Sequence, residues 1–212
     1  MEIVWLGHSC FRIRGREAAI VTDPCPPTSG YNIGKPSAAI VTISHDHDNH
    51  SYLKGVAGSP RVIDGPGEYE INGVFLSGIP TYHDARKGAE HGNNTSFVLE
   101  METLRVCHLG DLGHVPTADQ VEELSGVHIL LVPVGGHTTI DAAAAAEVVS
   151  LLEPRLVIPM HYDTPAAAVP LASLDRFLRE MGVKSYEPQA KLPLSRSALP
   201  QETQVVVLDY KR

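Results

Sequence analysis

The segment Ser44-His45-Asp46-His47-Asp48-Asn49-His50 puts three histidines within six residues, at spacings i, i+2 and i+5. Imidazole is largely neutral near physiological pH and offers a nitrogen lone pair. Imidazoles gathered in one turn can converge on a common point, and a divalent metal is the usual occupant of such a point. Further groups of the same kind stand at His83-Asp84, at Gly110-Asp111 and at His161. A histidine-rich set with one carboxylate suits zinc, iron, manganese or nickel rather than calcium or magnesium.

Each of these groups follows an apolar run that reads as a strand. Residues 38–43 precede the histidine cluster, 79–82 precede His83, 104–109 precede Gly110-Asp111, and 156–160 precede His161. Strand ends of this kind deliver their loops to one edge of a sheet. The rest of the chain supplies the elements that must hold that edge. A hairpin is expected at 4–6 and 10–13, around Gly7-His8-Ser9. Further strands are expected at 18–22, 61–63, 69–71, 74–82, 95–100, 104–108, 127–132, 156–159, 184–186 and 204–208. Helices are expected at 117–124, 140–152 and 172–181. Residues 84–94, rich in glycine and polar groups, read as a mobile loop. Strands dominate, with strand-helix alternation late in the chain. That pattern predicts an α+β fold of two packed sheets with helices on the outer faces.

The 212 residues suit one domain, 1–212, with 43% hydrophobic and 20% charged residues. The net charge of −8 argues against a nucleic-acid surface and against anionic membranes. No apolar run reaches membrane-spanning length. Cys10, Cys25 and Cys107 are odd in number and widely spaced, so reduced thiols, a core place for Cys10 and Cys107, and a cytoplasmic location are expected. His108, inside a strand, reads as a hydrogen-bonded core histidine.

Taken together, the motifs resemble the metallo-β-lactamase superfamily, whose pattern is His-x-His-x-Asp-His, a lone His, Gly-Asp and a final His. Here these positions hold His45, His47, Asn49 and His50, then His83, Asp111 and His161. Gly7-His8-Ser9-Cys10-Phe11, Thr22-Asp23-Pro24, Val134-Gly135-Gly136 and Pro159-Met160-His161-Tyr162 are similar to the branch containing ascorbate-6-phosphate lactonase and uncharacterised metal-dependent hydrolases.

The resemblance implies a four-layer αββα sandwich and one or two divalent ions, zinc first, with manganese, iron or nickel as alternatives. It implies that His45, His47 and His83 hold one ion, that His50 and His161 hold another, and that Asp111 bridges them. Water activated there would attack a small ester, lactone or phosphoester, with Asp111, Asn49 and His50 as the catalytic set. Asp23 would orient a ligand histidine from behind. His8, His91, His114, His137 and Tyr162 would line the pocket or meet substrate, and His91 competes with His83 as the mid-chain ligand. The partner is a small molecule, with a homo-oligomer compatible. A non-catalytic metal-binding protein and a phosphodiesterase or nuclease are the rival readings. Asn49 departs from the pattern: a neutral amide stands where a carboxylate ligand is usual. Weaker binding of the second ion is the expectation that follows.

Overall fold

A computed structural model describes residues 1–210 of the chain. Its first half begins with β1 (Glu2–Gly7), β2 (Cys10–Arg14), β3 (Ala19–Thr22), β4 (Ile40–Thr42) and β5 (Arg61–Ile63), side by side in that order. A second sheet takes β6 (Gly67–Ile71), β7 (Val74–Tyr82), β8 (Asn93–Met101), β9 (Leu104–His108), β10 (Ile129–Pro133) and β11 (Leu156–Met160). The short strands β12 (Leu192–Pro193) and β13 (Gln204–Val205) extend the two sheets beyond β1 and β11. Helix α1 (Ala118–Leu124) links β9 to β10, and α2 (Ala142–Leu152) links β10 to β11. Helix α3 (Leu174–Glu180) packs on α2. The arrangement is the expected αββα sandwich.

Side-chain alternation explains why two sheets stack. Ile20 and Ile40 point into the main core with Phe97, Val106 and Ile158. Their neighbours Val21 and Val41 point the other way, into a smaller cluster with Leu6, Cys10, Cys25, Tyr31 and Ile33. On that outer face the cover is thin, since loops and the single turns Pro27–Ser29 and Leu53–Gly55 replace long helices. The second sheet differs. Every residue of β10 and β11 is buried, as parallel strands covered on both faces require. Each fully buried Ile, Leu or Phe contributes about 1.5–3 kcal/mol, so the main core dominates stability.

Strand direction decides where function can sit. β1 and β3 each pair antiparallel with β2, so they run the same way, and β4 runs parallel to β3. β7 and β9 each pair antiparallel with β8, and β10 and β11 run parallel to β9. The carboxyl ends of β1, β4, β7, β9 and β11 are followed by His8, the His45–His50 turn, His83, Asp111 and His161. Carboxyl ends of parallel strands are the usual place for a ligand cleft.

Several local expectations need correction. Residues 184–186 form no strand; the segment is mostly exposed, and no neighbouring strand takes up its backbone. The strand expected at 204–208 covers only Gln204–Val205, with Leu208 in an isolated bridge to Gln189. Thr117 caps the first helix rather than opening it, forming a capping box with Gln120, and the helix expected from Ile140 starts at Ala142 behind its Asp141 cap. The third helix starts at Leu174, because the Ala172 amide is already bonded to Gly135 O and Ser173 bridges Asp163.

The loop at 84–94 is tied rather than slack. The Asp84 carboxylate accepts from the amides of Arg86, Gly88, Glu90 and His91 at 2.7–3.0 Å. Those amides, that of His91 foremost, hold its carboxyl well below the usual range.

Gly110 occupies the one tight point of the Gly-Asp turn. It sits at φ +60, and a Cβ there would overlap Asn94 Oδ1 and the Ser44 side chain. Gly110→Ala should therefore lower unfolding stability by about 1–3 kcal/mol. Urea unfolding of metal-free protein checks this, and an unchanged midpoint contradicts it.

Candidate metal centre

The site is built around Asp111, a carboxylate only 3% exposed. Its Oδ2 lies 3.3 Å from His50 Nε2 and 3.4 Å from both His83 Nε2 and His161 Nε2. Its Oδ1 accepts from Ser9 Oγ at 3.2 Å, and its amide donates to Asn94 Oδ1 at 2.9 Å. One oxygen thus faces three imidazole nitrogens that arrive from three separate strands.

The outer hydrogen bonds fix which ring nitrogens carry protons. His50 Nδ1 donates to Asp23 Oδ2 at 2.9 Å, and His83 Nδ1 donates to Thr138 O at 3.0 Å. Carboxylates and carbonyls only accept, so both Nδ1 atoms are protonated. Ser44 Oγ gives its one proton to Asp23 Oδ2 at 2.6 Å and so accepts from His45 Nδ1 at 3.0 Å. In each neutral ring Nε2 is left as a lone pair. For His83 that lone pair confronts a carboxylate oxygen, an acceptor against an acceptor. His45 Nε2 and His161 Nδ1 are buried with no hydrogen-bond partner. A buried polar atom without a partner costs about 1–3 kcal/mol. A cation among these donors satisfies the orphaned His45 Nε2 and removes the opposed acceptors, so the residues fit a divalent metal.

The electrostatics agree. Burial, helped by neighbouring His50, pushes His45 down to about 3, and burial with the His161 and His50 rings pushes His8 well below 6.5. Burial opposes ionisation of Asp111, but His161 and His50 hold its carboxyl well below the usual range. Asp23 is likewise kept ionised against burial, chiefly by the His50 hydrogen bond. Burial also works against charge on His50, yet Asp111 and Asp23 raise it to about 10. Without metal, His50 keeps its proton between the two buried carboxylates.

Candidate ligand atoms fall into three overlapping trios, each within 4.8 Å: His45/His47/His50, His45/His83/Asp111 and His8/His50/His161. All these residues line one cavity of about 280 Å³. Asn49 lines it too, half-buried, while His91 and His137 stand exposed at its rim. His83 rather than His91 is the histidine beside Asp111. Asp23, fully buried, lies behind His50.

Two of the expected pocket residues are elsewhere. Both ring nitrogens of His114 are engaged, Nε2 by the Tyr82 amide and Nδ1 by Val115 O. Tyr162 lines a separate cavity of about 270 Å³ beside Trp5. His108 is a buried brace, donating from Nε2 to Ser9 O at 2.8 Å. The sequence reading missed Ser44, Ser9, Asn94 and the Thr138 carbonyl as supports. Ser44 could have been found from its place beside His45. The others act across more than 15 residues and leave no local signal.

Fold and site together are those of a metal-dependent hydrolase class, and sequence comparison gives the family. The chain belongs to the metallo-β-lactamase superfamily: the family model described as the beta-lactamase superfamily domain matches residues 2–161. A UPF0173 protein of Pyrococcus furiosus is 32% identical over 194 residues, covering 80% of this chain and 87% of the relative. A UPF0173 metal-dependent hydrolase of Thermococcus onnurineus is 29% identical over 202 residues, covering 80% and 89%. Among solved structures, a Thermotoga maritima protein with the provisional designation Zn-dependent hydrolase of the metallo-beta-lactamase superfamily is 42% identical. It covers 99% of both chains, with a TM-score of 0.82. The chain thus stands among the metal-dependent hydrolases of this superfamily.

Coordination requires neutral His50, whereas the metal-free site keeps it protonated below about 10. Zinc binding at pH 7–8 should therefore release a proton, and apparent affinity should rise with pH across that range. Calorimetric titration in buffers of different ionisation enthalpy measures the release. Binding without proton release, equally tight at pH 6 and 8, contradicts it.

Proposed function

We propose that the protein hydrolyses a small ester or lactone at a site holding one or two divalent ions, zinc first among them. The observation that carries this reading is the convergence of eight of the eleven histidines and one buried carboxylate on a single cavity. A bound divalent ion supplies Lewis acidity and makes water ionisable near neutral pH. His45, His47 and His83 would hold the first ion and His50 and His161 the second, with Asp111 within reach of both sets.

This chain's own residues do the rest. Asp23 and the Thr138 carbonyl fix the His50 and His83 rings through their Nδ1 protons, so the Nε2 atoms stay aimed at Asp111. Ser9 and Asn94 hold Asp111 from behind. His91 and His137, exposed at the rim, are placed to pass a proton to a leaving alkoxide. Val169 and Leu171 give the cavity an apolar side that suits the carbon skeleton of a neutral substrate.

Among the described residues, no lysine or arginine lines this cavity. Phosphate recognition usually draws on such groups. That favours a neutral ester or lactone over a phosphoester, and the net charge of −8 disfavours a nucleic-acid substrate.

The test is a panel of lactones, aryl esters and phosphoesters, assayed with and without chelator. Turnover of lactones or esters should vanish on chelation and return with zinc. Asp111→Asn should reduce it by at least about 100-fold, since Lewis-acid stabilisation is worth several kcal/mol. Metal-loaded protein without chelator-sensitive turnover would favour the metal-binding rival instead.

A further inference from the structure

The superfamily pattern supplies the second ion with a carboxylate at position 49, and this chain has Asn49. The structure offers another donor that the pattern does not include. We propose that His8 is a metal ligand, forming with His50 and His161 a three-imidazole site for the second divalent ion. The proposal rests on the metal-dependent reading above and adds a residue to it.

The geometry is specific. Ligand atoms of His8, His50 and His161 lie within 4.8 Å of one another, and all three residues are buried. The His8 ring centroid is 4.3 Å from that of His161 and 4.9 Å from that of His50. His161 is 4% exposed, and its Nδ1 has no hydrogen-bond partner. Three closely packed imidazoles with an unsatisfied nitrogen among them are poor neighbours without a shared cation. Burial, with the His161 and His50 rings beside it, keeps the His8 ring neutral, which is the state that coordinates.

The backbone is shaped to present this ring. His8 sits at φ 53 and His161 at φ 52, left-handed conformations that side chains other than glycine seldom take. The two turns are joined, since the His161 amide donates to His8 O at 3.4 Å. Trp5 Nε1 donates to the same carbonyl at 2.9 Å. His8 is thereby held over the cavity from the end of β1, beside His50 of the His45–His50 turn.

Chemically, three nitrogens and the shared Asp111 make a site for zinc, cobalt, nickel or iron rather than magnesium. Exchanging the carboxylate at 49 for an imidazole at 8 keeps the donor number while removing one negative charge. The weaker second ion expected from Asn49 is then offset by His8.

The test measures metal content and affinity rather than turnover. Wild type, His8→Gly and the double variant His8→Gly/Asn49→Asp are titrated with zinc against a competing chelator. Glycine accepts the left-handed backbone without strain, so the turn is preserved. Wild type should bind two equivalents. His8→Gly should keep the first and lose more than about 100-fold in affinity for the second, beyond the 10–100-fold typical of losing an outer hydrogen bond. The double variant should regain it. Second-ion affinity unchanged in His8→Gly overturns the proposal, as does a wild type that binds one ion which the variant binds equally. A wild type that binds no metal overturns the metal-dependent reading itself, and so separates the two failures. On the unmodified protein, histidine nitrogen NMR should show the His8 ring shifting at the second zinc equivalent. A ring unmoved throughout the titration also overturns the proposal.

Discussion

Asp111 Oδ2 faces three imidazole nitrogens at 3.3–3.4 Å in a place closed to bulk water. A buried carboxylate demands compensating charge, and removing its partner typically costs about 3–5 kcal/mol. Two of the three facing rings have their Nδ1 protons committed elsewhere. The compensation comes either from the His161 and His50 rings or from cations lodged among them. Metal-free and metal-loaded protein are two solutions to one electrostatic constraint, and exchanging one for the other moves a proton.

The fold exists around that constraint in a definite sense. Five strands, drawn from both sheets, end at the same edge, and each is followed by one component of the site. Their cores are apolar and mutually packed, so the strand ends are fixed before any ligand arrives. The site turns then carry the unusual backbone. His8, Asp23, His137 and His161 all take left-handed conformations. Such strain persists only where surrounding structure enforces it, and here the joined His8 and His161 turns and the buried Asp23 supply that enforcement.

Much of this was legible in the sequence. Long apolar runs marked the strands, and a histidine or Gly-Asp after each marked the edge. The layered architecture followed from their order. What the sequence hid was of two kinds. Weak edge segments were misplaced, as with residues 184–186, because a short polar stretch becomes a strand only if a neighbour pairs with it. The supports of the site were also hidden. Asn94 and the Thr138 carbonyl reach Asp111 and His83 through space alone. Tyr162 sat next to a site histidine yet points into a different cavity, since successive residues at a strand end diverge. His8 was visible as a turn histidine, but only the meeting of two distant turns puts it beside His50 and His161.

The most direct test of the account is anomalous X-ray diffraction, at the edges of the first-row transition metals, on crystals of protein purified without added metal. The account predicts a peak between His45 Nε2, His83 Nε2 and Asp111 at about 2.0–2.2 Å from its ligands. A cleft without anomalous density, even after incubation with zinc, would contradict it.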